Sequence, residues 1–317
     1  MTDATVTSRR DDHAVGRASA SRALHAGARD ARLHGWLFLL PALAAYSLFV
    51  LWPLVTSFRY SLYKWDGVAA PQWVGLANYK TVFSNPVLVS VLGHAFQLII
   101  YFSAIPVILG LIVASVMRRV VGGRIGSVAR TVLFLPQVVP LVAAGIAWSW
   151  VLSYNGVVNQ ALSAIGLGSV TRAWLGDFGF ALPAVGIIGV WVLLGFCTVL
   201  LLVGMSKIDP ALYEASQLDG AGAIREFFSI TLPSLRQEIG VCVTVTVIAA
   251  LSAFDIVYIS TSGGPGDATM VPGLEIYQLA FYNREVGLAS ALAVVLMVLV
   301  LVCVLPIQWF VNRGDGS

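Results

Sequence analysis

Few side chains in this sequence can do chemistry, and they gather in three places. Gln137 lies just after Pro136 and three residues before Pro140, inside an apolar run. Prolines break a helix and leave backbone carbonyls without partners. A side-chain amide supplies both donors and acceptors and is costly in an apolar setting unless paired. Two readings stand: Gln137 bonds the carbonyls freed by the prolines, or it faces a cavity. Ser252 and Asp255 form the second place, three residues apart and expected on one helix face. A hydroxyl beside a carboxylate can bind a polar solute, hold a proton, or pair with a loop group. The third is "EASQLDGAGAIREFFSITLP", Glu214 to Pro233, with four charges between two long apolar runs. His94, near the end of another run, reads as an interfacial histidine.

Other chemistries find no residues. The apolar runs contain no Ser–His or paired-Asp arrangement for an intramembrane hydrolase. No Gly-x-x-x-x-Gly-Lys-Ser/Thr phosphate loop occurs; "GGRIG" lacks the lysine and the strand context. The chain is expected to be no ATPase. Cys197, Cys242 and Cys303 sit in apolar runs without paired spacing, so they read as small buried apolar groups, with no metal or disulfide.

The elements that must position these residues are membrane helices. The 317 residues are 58% hydrophobic and 11% charged, where soluble domains carry about 25% charge. Six segments are long enough for a helix across about 30 Å of hydrocarbon: 36–58, 88–117, 131–152, 180–205, 239–259 and 289–311. The expected fold is all-α and integral to the membrane: one six-helix domain over 36–312, a cytoplasmic loop at 206–236, and tails at 1–35 and 313–317. Besides His94, these segments hold one charged side chain, Asp255. Residues 1–35 are polar with six arginines; a solvated cytoplasmic tail, without a cleavable leader, is the reading over one touching anionic lipid. Fourteen Lys and Arg fall on one set of connections and five on the other, which puts both termini in the cytoplasm. That asymmetry gives no reason to invoke nucleic acid.

The loop has its own grammar. Asp209-Pro210 is a helix start, and Ala211, Ala215 and Leu218 share a small face. Gly220 and Gly222 permit a reversal at positive φ. A second turn puts Ile224, Phe227, Phe228 and Thr231 on one side, and Pro233 resets the chain. Such a surface either docks on a partner or folds back on its own helices.

The same stretch resembles the EAA loop of membrane subunits of ATP-binding cassette importers. Glu214, Ala215, Gly220, Ile230, Leu232 and Pro233 match that pattern, and Ser216 replaces an alanine. The resemblance covers nearly all of the chain after residue 35 and is nearest to sugar and polyol permeases, with "FLLPALAAYSLFVLWPLVTSF", "WVGLANYKTVF", "LFLPQVVP", "WVLLGF" and "TSGGPGDAT" as matching words. Gly93-His94-Ala95 departs from it, where relatives usually carry Asn-Thr.

The resemblance implies a bacterial inner-membrane permease for a saccharide, polyol or sugar phosphate. Glu214, Ala215, Leu218, Asp219, Gly220, Phe227, Phe228 and Pro233 would couple it to an ATPase. A dimer of ATP-binding subunits would hold ATP and Mg, this chain binding no cofactor. A second permease would complete the pore, and an extracytoplasmic solute-binding protein would deliver substrate. In maltose permeases the positions resembling Gln137, Phe196 and the stretch around Ser252 line the sugar cavity; side-chain chemistry adds Trp191, whose ring with Phe196 would stack on sugar, and Asp255 as a residue of gating or binding. Leu141, Gly189, Ala250 and Ala253 stand where maltose permeases carry polar residues, implying a more apolar cavity and another ligand. The competing reading is a self-contained proton-coupled carrier using Asp255.

Overall fold

A computed structural model describes residues 38–120 and 123–313. Expectations for the N-terminal tail, Trp36, Leu37, Gly122 and residues 314–317 fall outside the described residues. The described residues divide after Ser57 into two compact units. The first contributes most of helix α1, Phe38–Tyr60.

The second unit begins with a small antiparallel pair, β1 (Tyr63–Lys64) and β2 (Gln72–Trp73). The turn between them is closed by Asp66, whose Oδ1 accepts from Val68 N at 2.9 Å and Ala69 N at 2.8 Å. Those backbone bonds hold its carboxyl below the usual range. Helix α2 (Ala77–Ser84) follows. From it Asn78 donates to Ser61 O at 2.8 Å and Tyr63 O at 2.9 Å, while the Tyr79 hydroxyl meets Ser61 Oγ at 2.6 Å. The Asn-Tyr pair of "WVGLANYKTVF" thus straps down the chain that enters the hairpin.

Helix α3 (Pro86–Arg118) is a full-length span. It starts on an Asn85 cap that accepts from Val87 N, with Pro86 where a missing N–H costs nothing. A π-turn at Ile100–Ala104 interrupts it. The third span is not one helix: α4 (Gly123–Val138) and α5 (Leu141–Val151) meet at 98°. Pro136 lies inside α4 and is tolerated, so Pro140, capping α5, marks the bend. A short helix, α6 (Val157–Ala164), precedes the fourth span, α7 (Ala181–Met205).

Helix α7 is the centre of the bundle and packs against both α3 and α4. Glycines make this possible: a Cβ on Gly189 would overlap the Phe102 ring, and one on Gly195 the Leu133 carbonyl. Val185, Ile188, Phe102 and Leu274 belong to one buried cluster, and Leu201, Met205 and Cys242 to another. Cys197 and Cys242 are buried and Cys303 half-buried, all three free.

The loop carries α8 (Pro210–Leu218) and α9 (Ala223–Ser234), and α9 meets α10 (Arg236–Leu251) at 71°. The expected fifth span, 239–259, is corrected here. Helix α10 ends at Leu251, and a new helix, α11 (Asp255–Ser260), begins after a break. Sixteen residues make roughly 24 Å of helix, short of a bilayer's hydrocarbon. Helix α12 (Pro272–Tyr277) leads to the last span, α13 (Val286–Val311). Polar ties cross the bundle: Thr246 Oγ1 donates to Ser103 Oγ at 2.7 Å, and Gln308 Nε2 to Thr244 Oγ1 at 2.9 Å.

Among the described residues, four helices are long and apolar enough to cross a membrane, or up to six if each bent pair counts as one span.

Candidate functional site

Two regions gather the residues singled out by sequence: the Glu214–Pro233 loop and a cavity between the broken helices.

In the loop, Asp209 Oδ1 accepts from Ala211 N at 2.9 Å, starting α8 as its sequence dictates. The helix stops at Gly220, whose φ of +72° is open to glycine. There Ala221 N donates back to Ser216 O at 3.0 Å. Gly222 does not share that role: its φ is −76°, an ordinary extended cap of the second turn. Glu214, Ala215, Asp219 and Pro233 are exposed. Leu218 is 89% exposed, Ile224 77% and Phe228 61%. The expected stripe of the second turn stays together: Ile224, Phe227, Phe228 and Thr231 all line one recess. Thr231 is buried and Phe227 half-buried, and the recess, mainly apolar and of about 330 Å³, also takes in Ile112, Val116 and Met205.

What ties α8 down is an aromatic on its inner face. Tyr213 is 4% exposed, and its hydroxyl meets Thr231 Oγ1 at 3.1 Å. The Arg118 guanidinium, at the end of α3, lies 3.5 Å from the centre of its ring. Its signal was a large aromatic on the face of α8 opposite Ala211, Ala215 and Leu218. At the base of the next spans, Lys207 Nζ meets Glu238 Oε1 at 3.1 Å.

The second region is a cavity of about 470 Å³. Gln137, Ser252 and Asp255 all line it, although they come from two broken spans. Ser252 and Asp255 do not share a helix face as expected. Ser252 ends α10, its Oγ donating to Ile248 O, and Asp255 opens α11. A hydroxyl bonding four residues back loosens the next turn of helix. A carboxylate in a helix's first turn faces the favourable end of its dipole.

The cavity's remaining wall is largely apolar: Leu141, Gly189 and Ala253 line it, whereas Ala250 is fully buried. Trp191 and Phe196 stand apart. Trp191 meets Trp148 edge-to-face at 5.7 Å, and Phe196 packs beside Leu201 and Met205. The aromatic faces come instead from Phe102, on the π-turn of α3, and Phe254, in the break before Asp255. Helix α11 packs against α5, joining the two half-helices that follow the breaks. His94 is half-buried, and its Nδ1 donates to Met270 O at 2.8 Å, binding α3 to the segment before α12. Among the described residues there is no group of three His, Cys, Asp or Glu able to hold a metal ion.

Comparison with known proteins adds the following. The family described as "binding-protein-dependent transport system inner membrane component" matches residues 106–313. The probable ABC transporter permease protein YurN of Bacillus subtilis (strain 168) is 36% identical over 283 residues, covering 88% of this chain and 96% of the relative. The trehalose/maltose transport system permease protein MalF of Thermococcus litoralis is 35% identical, covering 86% of this chain and 91% of its own. The fold is similar to that of a chain in a bacterial alginate ABC transporter crystallised with an alginate pentasaccharide-bound periplasmic protein. The TM-score is 0.76 at 23% identity, over 91% of this chain and 96% of that one.

Proposed function

Because the chain belongs to the family of binding-protein-dependent transport system inner membrane components, we propose that it forms one half of an ATP-driven saccharide import pore, coupled to its engine through the Glu214–Pro233 loop. It is a multi-pass membrane protein of the sugar ABC permease type and a transport subunit, not itself an enzyme. The finer reading places it in the bacterial inner membrane with both termini cytoplasmic. A second permease, a dimer of ATP-binding subunits holding ATP and Mg, and an extracytoplasmic solute-binding protein complete the assembly.

The observation that carries the reading is the exposed apolar surface of the loop, led by Leu218 at 89%. Burying one such side chain against an ATPase contributes about 1.5–3 kcal/mol.

The substrate is read from the cavity. Gln137 and Ser252 offer hydrogen bonds, Phe102 and Phe254 offer flat faces, and the one charge among the lining residues is the Asp255 carboxylate. An anion would meet repulsion there, so a neutral saccharide or polyol fits better than a sugar phosphate. Relatives named for trehalose/maltose, diacetylchitobiose and lactose transport support the saccharide class.

Uptake into proteoliposomes tests the reading. With partner subunits present, ATP drives uptake after any proton gradient is collapsed. Uptake by this chain alone, dependent on a gradient and lost in Asp255→Asn, would establish the proton-coupled carrier instead. At Gly220 an added Cβ meets no neighbour within 4 Å, but Gly220→Leu forces φ near +72° on a residue that rarely adopts it, costing ~1–2 kcal/mol. The expected outcome is loss of co-purification with the ATPase while the spans stay inserted; normal co-purification and transport reject the account of the loop.

A further inference from the structure

Beyond the first cavity lies a second, of about 410 Å³, lined by Tyr258, Ser262, Leu274, Tyr277, Gln278 and Tyr282. Helix α10 runs from the loop to the break, and these residues follow the break, so this cavity lies past the first and away from α8. Its volume is within the range of small-molecule sites, about 300–1,000 Å³.

Its walls are built from rings. Tyr258 stacks on Phe254 at 5.3 Å and 12°. Tyr277 meets Phe254 at 5.7 Å, Tyr258 at 5.8 Å and Tyr282 at 5.6 Å, each edge-to-face. Phe254 is also a wall of the first cavity, so one aromatic stack joins the two. The polar groups are a side-chain amide, Gln278, and hydroxyls. Ser262 Oγ donates to Tyr258 O at 3.0 Å and keeps its lone pairs free to accept. None of the six lining side chains carries a charge at neutral pH.

Stacked faces with neutral donors and acceptors suit a pyranose, which has an apolar C–H face and a rim of hydroxyls. A charged solute gains no partner from these six side chains. We propose that this second cavity is a saccharide subsite that takes one pyranose ring of a neutral sugar and passes it across Phe254 to the cavity holding Gln137 and Asp255. The inference rests on the saccharide-importer reading and adds a station to its path.

The test uses the assembled importer, with second permease, ATPases and binding protein, in nanodiscs. A diazirine-bearing methyl glucoside is the probe, and labelled peptides are mapped by mass spectrometry. Labelling is expected on peptides containing Tyr258, Tyr277 or Tyr282, and excess unlabelled methyl glucoside abolishes it. Tyr277→Leu lowers it about five-fold by removing a stacking face, while Tyr277→Phe, which keeps the ring, retains most of it. Should Tyr277→Leu fail to assemble, Tyr282→Ala decides, because Tyr282 is 67% exposed and supports little of the core. Absence of competed labelling on these peptides, or full labelling in assembled Tyr282→Ala, overturns the proposal. ATP-driven saccharide uptake by the same wild-type complex keeps the two claims apart. Uptake without labelling removes the subsite alone; no saccharide uptake removes the importer reading beneath it.

Discussion

The two helix breaks that frame the first cavity have opposite origins. At Pro140 the chain carries its own instruction, since proline cannot continue the preceding helix and α5 starts afresh at 98°. Between Leu251 and Asp255 there is neither proline nor glycine, yet α10 stops. Here the causes are a hydroxyl and neighbours. Ser252 bonds back to Ile248, Phe254 is drawn into the stack with Tyr258 and Tyr277, and α12 presses in at Gly273, where an added Cβ would lie 3.0 Å from the Ala253 carbonyl. One break is written locally; the other is imposed by packing, and local rules cannot find it.

Substitutions that separate the two causes sharpen this contrast. The largest effect is expected from Gly273→Val, which crowds the packing-imposed break. Overpacking costs ~1–3 kcal/mol, so a clear fall in the thermal midpoint of detergent-solubilised protein should accompany reduced uptake. A midpoint equal to wild type would mean that α12 does not hold the break. Next comes Pro140→Ala, which frees the chain at the local break and alters stability by ~0.4–1 kcal/mol, largely through the unfolded state. Its uptake should fall while its midpoint moves less than that of Gly273→Val; the reverse order would erase the distinction. Ser252→Ala should be smaller again, within ~0.5 kcal/mol, because packing persists without the hydroxyl. A large destabilisation there would make the second break as local as the first.

The smallest effect is a pH dependence on the packing side. Burial first, then Asp267 and Glu285, raise the carboxyl of Glu275 above its ordinary value of 4.5. A group raised in the folded state gives its full stabilisation below the ordinary value and loses it as pH climbs through the raised one. The thermal midpoint should therefore decline as pH rises across that window, and Glu275→Gln should flatten the decline. An unchanged slope in the variant would detach Glu275 from the stability of α12.

These origins explain what was legible. Long apolar runs locate α1, α3, α7 and α13 within a few residues, because hydrocarbon thickness and backbone bonding leave a helix little choice. Asp209-Pro210 and Gly220 were legible because capping and positive φ are local matters. Gln137 and Asp255 were found as polar exceptions in apolar runs, and both line the cavity. Phe102 and Phe254 were not, since an aromatic in an apolar run gives no sign of which side it faces. For the same reason the sequence gives no sign that Trp191 packs edge-to-face on Trp148 or that Phe196 packs against the cluster of Leu201 and Met205. Tyr213 was not legible because its importance lies in what it touches, an arginine and a threonine distant in sequence.

That tyrosine has a consequence for how force would travel. The surface helix continues by chain into α7 on one side and α10 on the other, and through the Arg118 contact it also holds the end of α3. Under the proposed coupling, a tug at Leu218 would be shared among three columns, with one aromatic ring as the rivet for the third. Replacing Tyr213 would leave the outer face of α8 intact and drop α3 from the linkage, so that, if the proposed coupling holds, a motor gripping that face would turn only part of the frame.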